Sequence, residues 1–214
     1  TFCRRFHTLE APAWTAARQL IGKLARRRWL RWGLLVIDGS LLAAKGRPPR
    51  TAPRLRPATD PDASWAYTPT DGWVWGYRLH GISTADRTTA PVVWRTTTAK
   101  VHETTQVASL LGRLPAWRGP RRAWLIGDGS YDSQRLVLYC ARTRRRLLTP
   151  VYIRRGSRRT MSPARKRRWR FVHSRRGKRL LRRRTAIERD WSQLKAVFLL
   201  DPLPVTGLAR VQVY

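Results

Sequence analysis

The amino-acid sequence predicts a mixed α/β domain, in which one sheet carries helices on its faces. Three observations predict this fold class. Apolar runs of strand length recur along the chain, and segments with helical spacing of apolar residues separate the later runs. The first strands follow one another directly, whereas the later ones are joined by helical crossovers. The 214 residues, 42% of them hydrophobic, are enough to bury one sizeable core.

The N-terminal elements follow from hydrophobic period and turn residues. Residues 14–32 mix Leu, Ala and Arg at helical spacing and predict a helix. Residues 33–44 form an apolar run with Val and Ile, broken by one carboxylate, which is typical of a buried strand. Residues 45–69 are rich in Pro, Arg, Thr and Asp and predict a long loop. Two further strands are predicted at residues 73–83 and 90–98.

The second half of the chain alternates between helices and strands. The predicted elements are a helix at 102–114, a strand at 122–128, a helix at 132–142, a strand at 146–152, a basic loop or small insertion at 154–179, and a long amphipathic helix at 180–200. The whole order is three strands, helix, strand, helix, strand, basic insertion and helix. An RNase H-like fold has this order.

The predicted domain organisation has one main unit. Residues 33–200 form the RNase H-like domain, residues 1–32 a helical N-terminal segment, and residues 201–214 the start of a C-terminal segment. Because the chain begins at Thr1 and stops within an apolar stretch, both ends are expected to be truncated.

The charge balance points to a polyanionic partner. The chain has 45 Lys and Arg residues against 12 Asp and Glu residues, a formal net charge of +33. Such a surface repels itself unless a polyanion or salt screens it. Nucleic acid is the expected partner, because arginine offers phosphate a planar fork of donors. An arginine-rich genome is the alternative explanation, but it accounts poorly for the shortage of acids.

Cysteine usage and hydropathy exclude several other classes. Cys3 and Cys140 are the only cysteines, and neither has a partner at metal-site spacing, so a zinc finger or ribbon is excluded. No signal peptide is visible and no apolar run reaches membrane-spanning length, so no membrane partner is predicted. We therefore expect a cytoplasmic protein, nucleoid-associated in a prokaryote.

Two aspartates follow apolar strands and are candidate metal ligands. Asp38 ends the run Leu-Leu-Val-Ile, and Asp128 ends the run Trp-Leu-Ile-Gly. An ionised carboxylate there is costly unless a cation or several donors meet it. Two such aspartates and a helical glutamate can form an oxygen-ligand site for Mg²⁺. Turn chemistry is the alternative, because both aspartates precede glycine and Asp-Gly is a common hairpin signal.

The last predicted helix supplies the glutamate. Ile187 and Trp191 begin an apolar stripe, and Arg184, Glu188 and Lys195 fall on the neighbouring stripe at offsets of four and seven. A carboxylate beside the buried face can hold a metal ion while the two cations hold phosphate. An ordinary Arg–Glu helix pair, worth a few tenths of a kcal/mol, is the alternative interpretation.

These motifs resemble those of a known family. Arg184, Glu188 and Lys195 match the last three terms of the tyrosine-arginine-glutamate-lysine signature of bacterial insertion-sequence DDE transposases, whereas Leu181 occupies the tyrosine position. The string Val-Ile-Asp-Gly-Ser around Asp38 is similar to the first-aspartate strand of that family. Leu-Ile-Gly-Asp-Gly-Ser-Tyr-Asp around Asp128 is similar to its second. The resemblance covers the chain from about Trp14 to its end.

The resemblance implies a catalytic core with Asp38, Asp128 and Glu188 as catalytic residues and metal ligands. It implies two Mg²⁺ ions, with Mn²⁺ as a substitute, and metal-dependent cleavage and strand transfer at insertion-sequence ends. The expected partners are double-stranded transposon ends and target DNA, bound by a homodimer.

Further residues are candidates for DNA contacts. Arg184 and Lys195 are expected to hold phosphates, together with Arg165 and Arg168 of the basic segment. Trp169 lies among these arginines, where an aromatic ring can stack on an unpaired base or simply anchor the segment. Several other polar residues have structural roles as their default: hydrogen bonding or capping for His80, His102, Glu103 and Asp132, and turn formation for Asp60 and Asp62.

Two other function classes stay open from the sequence. A non-catalytic basic nucleic-acid-binding protein explains the charge equally well, and an RNase H-like nuclease would share the metal site but lack strand transfer. Metal-dependent nicking of DNA separates the first of these from an enzyme.

Overall fold

A six-stranded mixed sheet organises the structure, a computed structural model that describes residues 10–49, 58–85, 89–114, 123–153 and 161–213. The strands are β1 (Leu34–Ala43), β2 (Ser64–Thr68), β3 (Gly72–Ala85), β4 (Thr89–Thr98), β5 (Ala123–Ile126) and β6 (Arg145–Leu148). The helices are α1 (Glu10–Arg26), α2 (Glu103–Arg113), α3 (Gln134–Arg142), α4 (Pro163–His173), α5 (Arg175–Leu181), α6 (Thr185–Val197) and α7 (Leu208–Val213). None of the described helices is both long and apolar enough to cross a membrane.

The sheet combines an antiparallel half with a parallel half. Strand β3 pairs antiparallel with β1, and also with β2 near its start and β4 over the rest of its length. Strand β1 pairs parallel with β5, and β5 pairs parallel with β6. Antiparallel neighbours need only short turns, whereas parallel neighbours need crossovers, which α2 and α3 help to supply. The prediction of a mixed α/β fold is confirmed.

The two faces of the sheet bury separate apolar layers. Side chains alternate along β1, so that Leu34 and Val36 face one layer and Leu35 and Ile37 the other. The first layer lies beneath α4, α6 and α7, and the second lies beneath α1, α2 and α3. The site described below lies where β1 continues past the end of its pairing with β5.

Strand β2 corrects the prediction of a loop over residues 45–69; residues 50–57 lie outside the described residues. Composition suggested a loop because Pro, Asp and Thr flank the strand. Strand β2 forms because its aromatic side chains pair across to β3, with ring centroids 5.5 Å apart in both Trp65–Trp75 and Tyr67–Trp73. Such cross-strand pairs stabilise a sheet even in a short strand.

The basic segment is helical where it is described, so the prediction of a basic loop is wrong for residues 163–179; residues 154–160 lie outside the described residues. Ser162 caps α4 by accepting from the backbone N–H of Arg165, and Pro163 lies in the first turn. Arginine is also a good helix former. The long helix predicted at 180–200 is interrupted, because Arg182–Arg184 form a single 3-10 turn before α6 begins.

Two acids of the predicted turn tie the C-terminal segment to the domain. Asp60 is fully buried, and its carboxylate accepts hydrogen bonds from the Tyr77 hydroxyl at 2.8 Å and from the Gly207 N–H at 3.1 Å. The carboxylate of Asp62 accepts from the Leu208 N–H at 2.9 Å. The turn prediction is confirmed, since the Asp62 N–H also donates to Asp60 Oδ1, but the long-range bonds are an additional function.

Candidate active site

Asp38 lies within β1 rather than at its end. It pairs with Gly81 of β3, and β1 continues for five more residues. The predicted strand end is therefore wrong, and so is the alternative of an Asp-Gly turn at this position. Gly81 has no side chain because α6 lies close over the sheet: a Cβ there would come within 2.3 Å of the Trp191 ring. This close approach packs α6 against the same part of the sheet.

The register of two parallel strands sets Asp128 beside Asp38. Val36 pairs with Ile126, and Asp38 and Asp128 each lie two residues further along the chain from this pair. Neighbouring strands lie about 4.8 Å apart. Asp128 also caps the 3-10 turn Gly129–Tyr131, because its carboxylate accepts from the Ser130 N–H at 2.9 Å and from the Ser130 hydroxyl. Asp128 therefore stabilises the turn that follows it and also lies near Asp38.

Glu188 of α6 lines a surface groove beside Asp38. Asp38, Glu188 and Lys195 all line it. The Glu188 side chain is 45% exposed and forms an ion pair with Arg184 at 2.7 Å, the i,i+4 pair considered as the alternative interpretation. The structure thus brings Glu188 and Lys195 to one groove, and Arg184 is held beside them by its ion pair with Glu188.

Glu103 also lines the groove. The sequence predicted that this residue caps the helix it begins. Instead, His102 caps α2 by accepting from the Thr104 N–H. The Glu103 side chain is 14% exposed and pairs with Arg78, and it also accepts a hydrogen bond from the Tyr131 side chain. A Cβ on Gly39 would lie 2.9 Å from Glu103, so this glutamate packs directly against the backbone that follows Asp38.

The electrostatics of the groove favour a cation. Burial, followed by the carboxylate of Glu103, raises the pKa of Asp38 to about 7, and Asp128 acts in the same direction. The Gly39 N–H and Arg184 oppose this shift without cancelling it. Burial also raises the pKa of Glu103, against the influence of Arg78. Several carboxylates close enough to raise one another's pKa form a site that is short of positive charge.

The donor set suits a hard divalent ion, although its side chains are not arranged around one. Carboxylate oxygens are the ligands that Mg²⁺ prefers. Among the described residues, no group of three or more His, Cys, Asp or Glu side chains is positioned to hold a metal ion. Two of the four carboxylates are bound elsewhere, Glu188 to Arg184 and Glu103 to Arg78. The raised pKa of Asp38 is the observation that fits a cation, which would relieve the crowding of negative charge.

The other predicted DNA contacts are divided between the groove and the basic helices. Lys195 lines the groove, where its ammonium lies 3.6 Å from the carboxylate of Asp201. Arg165 and Arg168 of α4 both bind the carboxylate of Asp132, at 2.8 and 2.7 Å. Trp169 packs half-buried against the core, with its ring centroid 4.4 Å from that of His173.

His80 confirms its structural interpretation. It is fully buried on β3, and its Nε2 lies 2.8 Å from the Thr97 hydroxyl oxygen. Burial, followed by the charges of Arg78 and Arg95, lowers the pKa of His80 to about 3. The ring is therefore neutral at physiological pH and is unsuited to proton transfer there.

Comparison with known families identifies the class of protein. The family model described as the transposase DDE domain matches residues 33–214, which include Asp38, Glu103, Asp128 and Glu188. The chain therefore belongs to the transposase DDE domain family. No curated protein sequence matches the chain.

Three of the solved structures that resemble the chain are transposase complexes. A piggyBac transposase synaptic complex with hairpin DNA has a TM-score of 0.39 and 14% identity, over 63% of this chain and 27% of that one. A Mos1 transposase paired-end complex has 0.32 and 12%, over 85% and 62%. The Mos1 strand transfer complex has 0.33 and 12%, over 89% and 62%. The chain spans less than two thirds of the length of each.

Proposed function

We propose that this chain is the catalytic core of a DNA transposase of the bacterial insertion-sequence group, with an RNase H-like fold. The observation that carries this proposal is the strand register that places Asp128 near Asp38, in a chain of the transposase DDE domain family. Glu188 lines the same groove as Asp38. The order β3-β1-β5-β6, with an antiparallel and a parallel half, supports the RNase H-like assignment.

Asp38, Asp128 and Glu188 are the residues that would hold Mg²⁺, with Mn²⁺ as a substitute. Two bound ions would supply activation of the attacking oxygen and stabilisation of the leaving oxygen at a scissile phosphate. Glu188 reaches this role by leaving Arg184, and the released guanidinium then has its donors available for a phosphate oxygen. Lys195, about two turns beyond Glu188 on the same face of α6, holds a second phosphate.

The nucleophile in this proposal is water for strand cleavage and a DNA 3′-hydroxyl for strand transfer. No protein nucleophile is required. His80 on β3 is neutral and fully buried, so it is not accessible to a substrate. The proposed substrates are double-stranded transposon ends and target DNA, bound by a homodimer in a prokaryotic cytoplasm. The net charge of +33 supports the polyanionic substrate.

Nicking of supercoiled plasmid with and without Mg²⁺ tests the proposal. We expect metal-dependent nicking by the parent protein, its loss in Glu188→Gln, and unchanged or slightly tighter DNA binding by that variant because one negative charge is gone. Lys195→Ala should weaken binding, lower the salt slope by about one, and retain cleavage at saturating DNA. Thermal melts must first show that each variant is folded.

Three results would assign the chain differently. Cleavage by folded Glu188→Gln at the parent rate removes Glu188 from the site. DNA binding without metal-dependent nicking indicates a non-catalytic nucleic-acid-binding protein. Nicking without joining of a supplied 3′-hydroxyl end to target DNA indicates a nuclease that lacks strand transfer.

A further inference from the structure

Helices α4 and α5 form a surface of uncompensated positive charge. No acidic residue occurs anywhere between Asp132 and Glu188 in the sequence. We define the platform cations as the exposed Lys and Arg residues of these two helices: Lys166, Arg167, Arg170, Arg175, Arg176, Lys178 and Arg179. Within the described part of the chain, none of them forms an ion pair with a carboxylate. An anionic partner would therefore reduce the repulsion between these cations.

The two helices form one tightly joined unit. Ser174 ends α4, and its side chain accepts from the Gly177 N–H to begin α5. Gly177 allows the close approach, because a Cβ there would lie 2.0 Å from the carbonyl oxygen of Phe171. Val172 is buried in the core, and Phe171 and Leu180 pack half-buried against it. The apolar sides thus face the domain, and the platform cations face solvent.

Asp132 attaches this unit to the turn that carries Asp128. Its carboxylate is only 5% exposed and accepts from Arg165 at 2.8 Å and from Arg168 at 2.7 Å. Arg165 also donates to the Tyr152 carbonyl at 3.2 Å. Asp132 itself follows the 3-10 turn Gly129–Tyr131, which Asp128 caps. Two arginines of the most basic helix are therefore occupied by a buried carboxylate within the protein.

We propose that the platform cations bind the phosphate backbone of duplex DNA beside the active site, and that Arg165 and Arg168 position the platform instead of binding DNA. This rests on the proposed function. The chain continues from α5 through Arg182–Arg184 into α6, so the platform adjoins the arginine that pairs with Glu188. Two arginines held by one buried carboxylate would have to break that attachment before they could reach a phosphate.

Three double variants of equal charge change test this division. R167Q/R170Q removes two platform cations, R165Q/R168Q removes the two positioning arginines of the same helix, and R26Q/R27Q removes two exposed cations of the α1 end. Binding to a labelled duplex is measured by fluorescence anisotropy between 50 and 200 mM salt without divalent metal. Nicking is then measured at saturating DNA with Mg²⁺.

We expect R167Q/R170Q to lower the slope of log Kd against log salt by about two, since each phosphate contact contributes about 0.9. R165Q/R168Q should have the same salt slope as R26Q/R27Q. Its nicking rate at saturating DNA should be at least about tenfold lower than that of R26Q/R27Q, because a displaced platform misorients the bound DNA without weakening its binding. R165K/R168K should recover much of this rate, since lysine preserves the charge.

The inference is overturned if R165Q/R168Q lowers the slope as much as R167Q/R170Q does, or if R167Q/R170Q behaves like R26Q/R27Q. Should R165Q/R168Q melt early, R165Q alone against R167Q repeats the comparison, because Arg165 is the more exposed of the pair at 41%. The binding measurements need no catalysis, so a protein that binds as expected but never nicks refutes the proposed function and leaves the platform assignment standing.

Discussion

Replacing Asp38 with asparagine is expected to stabilise the fold while abolishing cleavage. Burial and neighbouring carboxylates raise the pKa of Asp38 to about 7 from its ordinary value of 3.8. Each pKa difference of one corresponds to about 1.4 kcal/mol. The ionised side chain therefore costs the folded state up to about 4 kcal/mol at pH 8. Asparagine keeps the shape of the side chain and removes this cost.

The sign of the pH dependence follows from the raised pKa. Below about pH 3 the carboxyl group is mostly protonated in both the folded and the unfolded state, so it contributes no difference in stability. As the pH rises from 4 to 7, the unfolded chain releases its proton first, so the folded state loses relative stability, and the loss is complete above pH 7. The advantage of Asp38→Asn should thus be largest at pH 8 and fall to about 2 kcal/mol or less at pH 5.

Thermal melts of parent and Asp38→Asn protein from pH 4.5 to 8 measure this effect. For a chain of this size, 1 kcal/mol shifts the Tm by about 2–4 °C, so the variant should melt several degrees higher at pH 8. Asp201→Asn is the matched control, because the Asp201 side chain is 46% exposed and its carboxylate lies 3.6 Å from the Lys195 ammonium. Millimolar Mg²⁺ should raise the Tm of the parent more than that of Asp38→Asn. An Asp38→Asn protein that melts no higher than the parent at pH 8 would refute this reasoning.

Two further predictions concern packing around the site. Asp60→Ala leaves the Gly207 N–H and a tyrosine hydroxyl without their buried acceptor, and should lower the free energy of unfolding by about 3 kcal/mol in urea titrations; an unchanged midpoint would show that the C-terminal segment is not held there. Gly81→Ala forces a methyl group into the Trp191 ring and should cost about 1–3 kcal/mol, and nicking should slow because α6 shifts. Gly112→Ala, with open space around its Cβ position, is the control and should be neutral or stabilising.

The sequence was most informative where a local pattern decides the structure. The buried strands β1 and β5 were predicted from apolar runs of strand length, and the helix α2 because its apolar residues recur with helical period. Strand β2 was missed because its stability comes from pairing with β3, which composition does not reveal. The basic helix α4 was missed because its buried side is narrow and its charge suggested a solvated loop.

The candidate site shows the same limit. Each of Asp38, Asp128 and Glu188 was singled out from its own element, and the parallel register explains why the first two lie together. Glu103 was assigned to helix capping because it stands at the start of α2. Its partners are Arg78 on β3 and Tyr131 in the 3-10 turn after β5, and no spacing in the sequence pointed to either contact. The scarcity of acids was the one available signal.

That scarcity distinguishes two kinds of carboxylate in this chain. A helix start offers an acid roughly 0.3–1 kcal/mol, whereas an arginine pair at low exposure offers charge-assisted hydrogen bonds of about 1.5–3 kcal/mol each. In a chain with a net charge of +33, an acid near a helix start is therefore drawn to arginines elsewhere, as Glu103 and Asp132 are. Asp38 differs from both, because burial and other carboxylates outweigh its one opposing arginine, Arg184. An acid left short of cations in so basic a protein is the position at which a metal ion has the most to contribute.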